Sequence, residues 1–244
     1  MVRIDKPHKK VTAILQGRVG STRLPGKVLK PLAGKPAMQH VYERILHCRN
    51  IDRIIVATSD KERDDPVADL FLGIGIPVFR GSETDPLDRY YQAATHFGVN
   101  HIVRVMADCP LLDPEVVDGV IKTYTEGNYD YCYLGGEFPT GLDTTVYSYE
   151  AIERCWQEAR LQAEREHIFL YMDHHPDLFS IGVYEKHKGL RHHRWVMDHE
   201  EDYHFVKAVY DALYKPGHLF LTRDILNLLE KEPWMLQINA GIPR

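Results

Sequence analysis

The residues best suited to chemistry lie in the segment 11–35, VTAILQGRVGSTRLPGKVLKPLAGK, where three cations follow an apolar run. The run predicts a strand that ends near Gly17, and the glycines after it allow backbone N–H groups to approach phosphate oxygens. Arg18 and Arg23 offer guanidinium groups that bind such oxygens bidentately, and Lys27 adds a point charge. We interpret this loop as a binding site for a nucleoside triphosphate, and the alternative is a solvated basic turn.

The loop is not a P-loop, because no G-x-x-x-x-G-K-[ST] match occurs and Lys27 is followed by Val28. Any metal ligands must therefore lie elsewhere in the chain. The candidates are Asp108, in RVMADCPLLDP, and Asp198, in RWVMDHEED, and each follows an apolar, strand-like run. If both carboxylates converge on the phosphates, they can share a magnesium ion. Otherwise Asp108 is a turn residue and Asp198 is a helix N-cap.

These residues supply positioning and charge neutralisation. The chain has no H-R-D or D-F-G element and no Walker lysine, which disfavours a protein kinase. In nucleotidyl transfer, cations and a metal stabilise the developing charge while an acceptor oxygen attacks in line. The residues therefore favour a nucleotidyltransferase.

Two further polar clusters follow predicted strands. Thr58, Ser59 and Asp60 end the second strand, and Asp88 and Arg89 lie after GSETDP at the start of a helix. Each cluster suits contact with a base or ribose. The alternatives are an Asx-type turn for the first cluster and an ordinary charged pair for the second.

A third cluster, Arg165-Glu166-His167, opens a predicted helix in a less regular part of the chain. His167 suits an anionic acceptor or a proton transfer. A lone histidine on a helix is more often structural or exposed, and this alternative stays open.

The elements that must position these residues alternate between strands and helices from residue 11 to about 125, which predicts a mostly parallel sheet covered by helices. The predicted strands are 11–17, 53–58, 77–79 and 101–106. The predicted helices are 37–48, 66–72, 87–97 and 114–124. In open α/β sheets ligands bind at the carboxyl ends of the strands, where Arg18, Ser59 and Asp108 are placed.

The pattern is less regular after residue 126. We predict strands at 129–134, 144–147, 179–184 and 193–197, and helices at 150–160, 164–172, 201–213 and 222–229. The stretch 135–190 is expected to leave the main sheet as an arm or lid. No internal repeat or low-complexity linker divides the chain, so we predict one α/β domain over residues 11–244.

The composition is typical of a globular protein. The chain has 244 residues, 44% of them hydrophobic, and its formal charge of −5 gives no basic field for nucleic acid. The start, MVRIDKPHKK, is polar, and nowhere do eighteen apolar residues run together. We expect a cytoplasmic protein with a disordered tail at residues 1–10 and no membrane contact. The four cysteines form no C-x-x-C pair and indicate reduced core thiols.

Seven segments, taken in order, carry a resemblance to a known family. They are ILQGRVGSTRLPGKVLKPLAGKP, VATSD, RGSETDPLDRYYQAA, RVMADCPLLDP, GLDTTVYS, REHIFLYM and RWVMDHEED. From about residue 11 to 235 the chain resembles the cytidylyltransferases that include the CMP-N-acetylneuraminate and CMP-KDO synthetases. Within that family it is most similar to the spore-coat polysaccharide biosynthesis branch, which is often labelled glycosyltransferase-like.

The resemblance implies a fold, a reaction and an assembly. The fold is Rossmann-like α/β, of the nucleotide-diphospho-sugar transferase type. The reaction moves CMP from CTP to an acidic sugar or related anionic acceptor, depends on Mg²⁺ and releases pyrophosphate, for surface polysaccharide or glycoconjugate biosynthesis. The assembly is a homodimer in which the arm lies across the partner.

The resemblance also implies site residues, position by position. For the nucleotide these are Arg18, Ser21, Arg23, Lys27, Asp88 and Arg89. Together with Gln16, Gly17, Thr58 and Ser59 they make up the set that we predict to bind the nucleotide. The implied metal ligands are Asp108 and Asp198, which together with Arg18 and Lys27 form the predicted catalytic set. The predicted acceptor-binding residues are Asp143, Glu166 and His167.

The chain departs from the family pattern at several positions. It has Gly17-Arg18 in place of A-R and Ala107-Asp108 in place of G-D, and both changes keep the charged residue. In GLDTTVYS, Thr140 and Thr145 stand where the branch commonly has an arginine and a glutamate, and VMDHEED replaces T-V-D-T-P-E-D. The nucleotide half therefore keeps the family pattern, while the acceptor half departs from it.

We expect a magnesium-dependent cytidylyltransferase. Two alternatives stay open at this stage. One is a metal-dependent glycosyltransferase that uses a nucleotide-sugar, and the other is a catalytically weak, CTP-binding regulatory protein.

Overall fold

The computed structural model describes residues 9–242, and a seven-stranded sheet forms its centre. The predicted tail at residues 1–10 lies almost wholly outside the described residues. The strands are β1 (Val11–Gln16), β2 (Pro31–Leu32), β3 (Lys35–Pro36), β4 (Arg53–Ser59), β5 (Val78–Gly81), β6 (His101–Met106), β7 (Tyr131–Gly135), β8 (Thr145–Ser148) and β9 (Ile181–Glu185). In this sheet the order is β5-β4-β1-β6-β8-β7-β9, and β2 and β3 form a separate two-stranded sheet.

The prediction of a mostly parallel sheet is confirmed. The central strand β1 pairs in parallel with β4 on one side and β6 on the other, and β5 continues the parallel order beyond β4. Only β8 runs antiparallel, to both β6 and β7. The carboxyl ends of β1 and β6 therefore meet at one edge of the sheet.

Nine α-helices cover this sheet in the described part of the chain. They are α1 (Ala37–Ile45), α2 (Asp65–Leu72), α3 (Pro86–Phe97), α4 (Pro114–Gly127), α5 (Tyr149–Glu158), α6 (Gln162–Glu166), α7 (Ile168–His174), α8 (Glu200–Leu213) and α9 (Thr222–Lys231). Asp85 and Asp113 cap α3 and α4 with their carboxylates, and a proline follows each cap. Gly98, with a φ of 63°, ends α3 in the left-handed conformation that glycine adopts readily.

The hydrophobic core has two parts, one on each face of the sheet. Alternate residues of β1 point to opposite faces, so Ala13 and Leu15 belong to one part and Ile14 to the other. The first part includes side chains of α1, α4 and α8, and the second includes side chains of α3, α5 and α7. Burial on both faces explains why β1 is a continuous apolar run.

The stretch 135–190 was expected to leave the main sheet as an arm or lid. In the structure it supplies β8 and β9 to that sheet, and its helix α5 packs against α3. An arm that lies across a partner subunit stays a prediction. The helix expected at 164–172 is two helices, α6 and α7, which are separated at His167 by a non-helical backbone with φ −116° and ψ 90°.

The strand predicted at 193–197 is wrong. This segment is extended, but it crosses the ends of the sheet strands instead of joining their ladder. The Trp195 N–H donates to the Thr140 carbonyl at 2.6 Å, and the Met197 N–H donates to the Asp108 carbonyl at 2.8 Å. Its only strand-like pairing within residues 9–242 is an isolated bridge between Thr140 and Arg194. The apolar pattern arises because the segment is buried at the sheet edge, which periodicity alone cannot separate from a strand.

None of the helices within residues 9–242 is long and apolar enough to cross a membrane.

Candidate active site

A polar cavity of about 280 Å³ opens where β1 and β6 end side by side. The loop that follows β1 forms one wall, the residues that follow β6 form another, and Glu166 at the end of α6 reaches it from a third side. The lining residues are Gln16, Gly17, Arg18, Gly20, Ser21, Thr22, Arg23, Lys27, Val28, Met106, Ala107, Asp108 and Glu166. The structure thus brings the predicted triphosphate loop and Asp108 together.

Lys27 lies between the two predicted metal ligands. Its ammonium donates to Asp108 Oδ2 at 2.5 Å and to Asp198 Oδ1 at 2.6 Å, and only 12% of its side chain is exposed. Burial works to lower the pKa of Lys27, but the charges of Asp108 and Asp198 outweigh it and raise that pKa above its ordinary 10.5. Lys27 is therefore a fixed positive charge that neutralises two converging carboxylates.

Arg23 and Arg18 place two further cations around the same cavity. Arg23 donates to Asp198 Oδ2 at 3.0 Å with 60% of its side chain exposed, so its guanidinium also faces solvent. Burial works to raise the pKa of Asp198, but Lys27 and Arg23 hold it below its ordinary value. Arg18 donates to Glu83 Oε1 at 3.3 Å, and Glu83 also accepts from Arg63. Each arginine keeps N–H groups for an incoming anion.

A fully buried carboxylate, Asp64, positions the cavity loop. One of its oxygens accepts from the Val19 N–H at 2.6 Å, and the other accepts from the Ser59 hydroxyl. Ser59 therefore supports the loop from behind and does not line the cavity. Thr58 is also fully buried and does not line it. Contact of Thr58 and Ser59 with a nucleotide stays a prediction.

A second buried carboxylate, Asp202, positions Asp198. It accepts from the backbone N–H groups of Asp198 and His199 at 3.1 Å each, and from Arg194 Nε at 2.9 Å. Asn239 adds a further donor at 3.0 Å. His199, not Asp198, is the N-cap residue of α8, so the side chain of Asp198 is directed to Lys27 and Arg23.

The structure does not bring Asp88 and Arg89 to the cavity. The Asp88 carboxylate accepts from the Trp156 indole N–H at 2.8 Å, and the buried Arg89 guanidinium donates to the Ser82 carbonyl. Both residues link α3 to its neighbours, and a direct nucleotide contact stays a prediction.

The three predicted acceptor residues are separated. Glu166 lines the cavity, whereas Asp143 and His167 do not. The exposed Asp143 carboxylate accepts from the Gly141 N–H at 2.8 Å and so fixes its own turn. His167 is exposed at the junction between α6 and α7. The acceptor roles of all three residues stay predictions.

Asp108 and Asp198 fit a hard divalent cation such as Mg²⁺. Their oxygens converge on one position, which the Lys27 ammonium shows to be suited to positive charge. In the described part of the chain, no group of three or more His, Cys, Asp or Glu side chains is arranged to hold a metal. Magnesium, however, is commonly bound by one or two carboxylates together with substrate phosphates. These two aspartates are the residues that would hold it.

Reasoning from the sequence missed the supporting residues Asp64, Glu83, Arg194 and Asp202. For Asp202 a signal was available, because an acid three residues after a helix N-cap is typical of a capping box. For Asp64 and Glu83 no local signal exists, since each acts on a loop far away along the chain.

The chain is similar in sequence to known cytidylyltransferases and to a spore coat polysaccharide biosynthesis protein. A family model described as cytidylyltransferase matches residues 12–225, which include every residue that lines the cavity. The chain is 31% identical over 227 residues to the spore coat polysaccharide biosynthesis protein SpsF of Bacillus subtilis, covering 90% of this chain and 94% of that one. It is 40% identical over 119 residues to the 3-deoxy-manno-octulosonate cytidylyltransferase of Geobacter sulfurreducens, covering 48% of this chain and 46% of that one.

Among solved structures, the fold is similar to that of a cytidylyltransferase from Leptospira borgpetersenii. The TM-score is 0.88 at 29% sequence identity, and the match covers 97% of this chain and 100% of that one. The similarity therefore extends over the whole sheet and the helices around it.

Proposed function

The chain belongs to the cytidylyltransferase family, and we propose that it transfers CMP from CTP to an acidic sugar or related anionic acceptor with release of pyrophosphate. The observation that supports this most is the convergence of Lys27, Asp108 and Asp198 in a cavity lined by further cations. A related protein named 3-deoxy-manno-octulosonate cytidylyltransferase acts on an acidic sugar, which supports the class of acceptor.

The cations of the cavity bind the triphosphate in this proposal. Arg18 and Arg23 pair with phosphate oxygens through guanidinium N–H groups that the carboxylates leave free. Lys27 stabilises the negative charge that develops on the departing pyrophosphate. Arg18 is held by Glu83 and Arg23 by Asp198, so their guanidinium groups need little reorganisation when the nucleotide binds. Lys27 would release Asp108 and Asp198 to Mg²⁺ and turn to the phosphates.

Asp108 and Asp198 would hold Mg²⁺, which when bound neutralises phosphate charge and acidifies the attacking hydroxyl of the acceptor. Asp202 keeps Asp198 in place through the backbone, and Met197 ties the same segment to Asp108. The two carboxylates therefore keep a fixed separation while ligands exchange. Glu166 also lines the cavity, and in this proposal its carboxylate contacts the acceptor.

The test is pyrophosphate release from CTP in the presence of Mg²⁺ and a panel of sugar acids, including 3-deoxy-manno-octulosonate. Lys27→Ala and Asp108→Asn should each lower kcat/KM by about 100-fold or more, because the first removes a positive charge at the reacting phosphates and the second removes a carboxylate that would hold Mg²⁺. Lys30→Ala is the matched control, since Lys30 lies nearby but pairs with Glu200 outside the cavity lining. Wild-type turnover in either cavity variant would contradict the proposed roles.

The same assay separates the two alternatives. A glycosyltransferase would transfer sugar from a nucleotide-sugar without releasing pyrophosphate from CTP. A regulatory protein would bind CTP tightly and consume none across the panel. Either result would overturn the proposed reaction.

A further inference from the structure

Arg104, in the middle of β6, is a cation inside the fold without a matching anion. Its only hydrogen bond within the described residues is to Met106 Sδ, at 3.0 Å, and a thioether is a weak acceptor. No carboxylate among residues 9–242 lies within the 4.0 Å of an ion pair. Arg104 is only partly exposed, and an unpaired guanidinium that has lost part of its water is unfavourable, so its remaining N–H donors retain a large capacity for an anionic ligand.

Arg104 lies on the strand that leads into the cavity. Met106, two residues further along the same face of β6, lines the cavity, and Asp108 follows it. Burial works to lower the pKa of Arg104, but Tyr90, Tyr147 and the carboxylates of Asp108 and Asp143 raise it. The guanidinium is therefore charged, and β6 carries Arg104 on the same face as Met106, two residues before that lining residue.

Three buried oxygen atoms lie on the same face of the sheet as Arg104. They are Gln16 Oε1, Thr145 Oγ1 and the Tyr147 hydroxyl; the hydroxyls of Thr145 and Tyr147 have only each other as hydrogen-bond partners, and Gln16 Oε1 has none within the described residues. Thr145 lies directly opposite Arg104 in the β6–β8 pair, and Gln16 lies opposite Met106. Tyr147 is 1% exposed. Because buried polar atoms in native proteins are normally paired, such a concentration around one cation indicates a ligand.

We propose that Arg104 binds the carboxylate or phosphate group of the acceptor, while Gln16, Thr145 and Tyr147 contact its hydroxyl groups. This inference rests on the proposed function and names the subsite that selects an anionic acceptor. Thr145 distinguishes this subsite, because the family pattern has glutamate at that position. A glutamate opposite Arg104 would pair with the guanidinium across the strands and leave no charge for a ligand.

The experiment measures binding to four probes by calorimetry in the presence of CTP and the absence of Mg²⁺, so that no CMP is transferred during the titration. The probes are 3-deoxy-manno-octulosonate, glucuronate, glucose 1-phosphate and glucose, so carboxylate, phosphate and neutral ligands are compared. At least one anionic probe should bind the wild type, and Arg104→Gln should weaken that binding about 30-fold, the loss expected for a charge-assisted pair. Affinity for CTP should stay within about twofold of wild type, which also shows that the variant is folded.

Thr145→Glu is the second variant, since it keeps Arg104 but offers the guanidinium an internal partner. It should weaken binding of the anionic probe without changing CTP affinity. Arg154→Gln is the matched control, because Arg154 is a half-exposed arginine of α5 that pairs with Glu158. The inference is wrong if no anionic probe binds the wild type, or if Arg104→Gln binds it normally. Failure of the wild type to bind CTP would instead contradict the proposed function.

Discussion

Gly17 and Ala107 share space at the point where β1 and β6 end. A Cβ atom on Gly17 would lie 2.5 Å from Ala107 Cβ and 3.0 Å from Met38 Sδ, and the first distance is too short for two carbon atoms. The family pattern has alanine at position 17, in A-R, and glycine at position 107, in G-D. In the family the methyl group is therefore on the β1 side, whereas in this chain it is on the β6 side. The two departures noted in the sequence are therefore one change, the exchange of a methyl group between neighbouring strands.

Gly17→Ala should therefore destabilise the protein by about 1–3 kcal/mol, because it overpacks a buried position. Gly17→Ala/Ala107→Gly should recover a large part of that loss, since it restores a single methyl group. Urea unfolding of the two single variants and the double variant measures the free energies. The prediction fails if the losses of the two single variants simply add in the double variant.

At the scale of single residues, the sequence predicted the residues that line the cavity better than the buried residues that hold them in place. Lys27 and Asp108 lie beside strand ends, and strand ends are recognisable from local patterns. Asp64 and Asp202 act through buried hydrogen bonds, and their importance depends on which loops the fold brings to them. Arg104 lies in a correctly predicted strand. That it has no carboxylate partner among the described residues can be recognised only from the three-dimensional structure.

At the scale of elements, one carboxylate joins two helix starts. Asp113 is the N-cap of α4, where it accepts from the Glu115 N–H at 2.9 Å, and it also accepts from the Thr222 N–H at the start of α9. Burial works to raise the pKa of Asp113, but the hydrogen bonds from Thr222 and Glu115 outweigh it and lower that pKa. The ionised form of Asp113 therefore ties α9 to α4.

Asp113→Asn should lower the free energy of unfolding by about 1–2 kcal/mol at neutral pH, because an amide offers only one accepting oxygen. A lowered pKa stabilises the folded state above the ordinary value of 3.8, and the effect is lost as the pH falls through the folded pKa. The difference between wild type and variant should thus be constant above about pH 5 and shrink towards about pH 3. Urea titrations across this range measure it, and a difference independent of pH would contradict the assignment.

Most helices and strands were predictable because their periodicity and caps are local. The strand at 101–106 matches the structure residue for residue, and the three other strands predicted before residue 125 differ by one or two residues at their ends. The two-residue strands β2 and β3 were not predicted. The segment 193–197 was not predictable, because its burial comes from Thr140 and Asp108, which lie far away in the sequence. The break between α6 and α7 falls at one residue, His167, whose sequence context contains no glycine or proline.

At the scale of the whole molecule, the C-terminal part of the chain supports the cavity. Asn239 donates to the Arg194 carbonyl at 2.9 Å and to Asp202 Oδ1 at 3.0 Å, and it is 7% exposed. Asp202 in turn holds the Asp198 backbone. A contact near the end of the described chain is thus connected to a residue of the candidate metal site.

Asn239→Ala should weaken CTP binding in the presence of Mg²⁺ by about 3- to 10-fold, because it loosens the support of Asp198. Without Mg²⁺ the variant and the wild type should differ less. Asn227→Ala, at an exposed position of α9, is the matched control. Calorimetric titrations with and without the ion test this, and equal affinities for wild type and Asn239→Ala would exclude a connection to the cavity.

The ion pair between Lys27 and Asp198 joins residues 171 positions apart. During synthesis the ribosome delivers β5, β4, β1 and β6 with the first 106 residues, long before Asp198 emerges. At about 5–20 residues per second, the nascent sheet waits several seconds or more for the second aspartate. The candidate site is thus incomplete during that interval, and no ligand that needs both aspartates can stabilise the early half of the protein while it is being made.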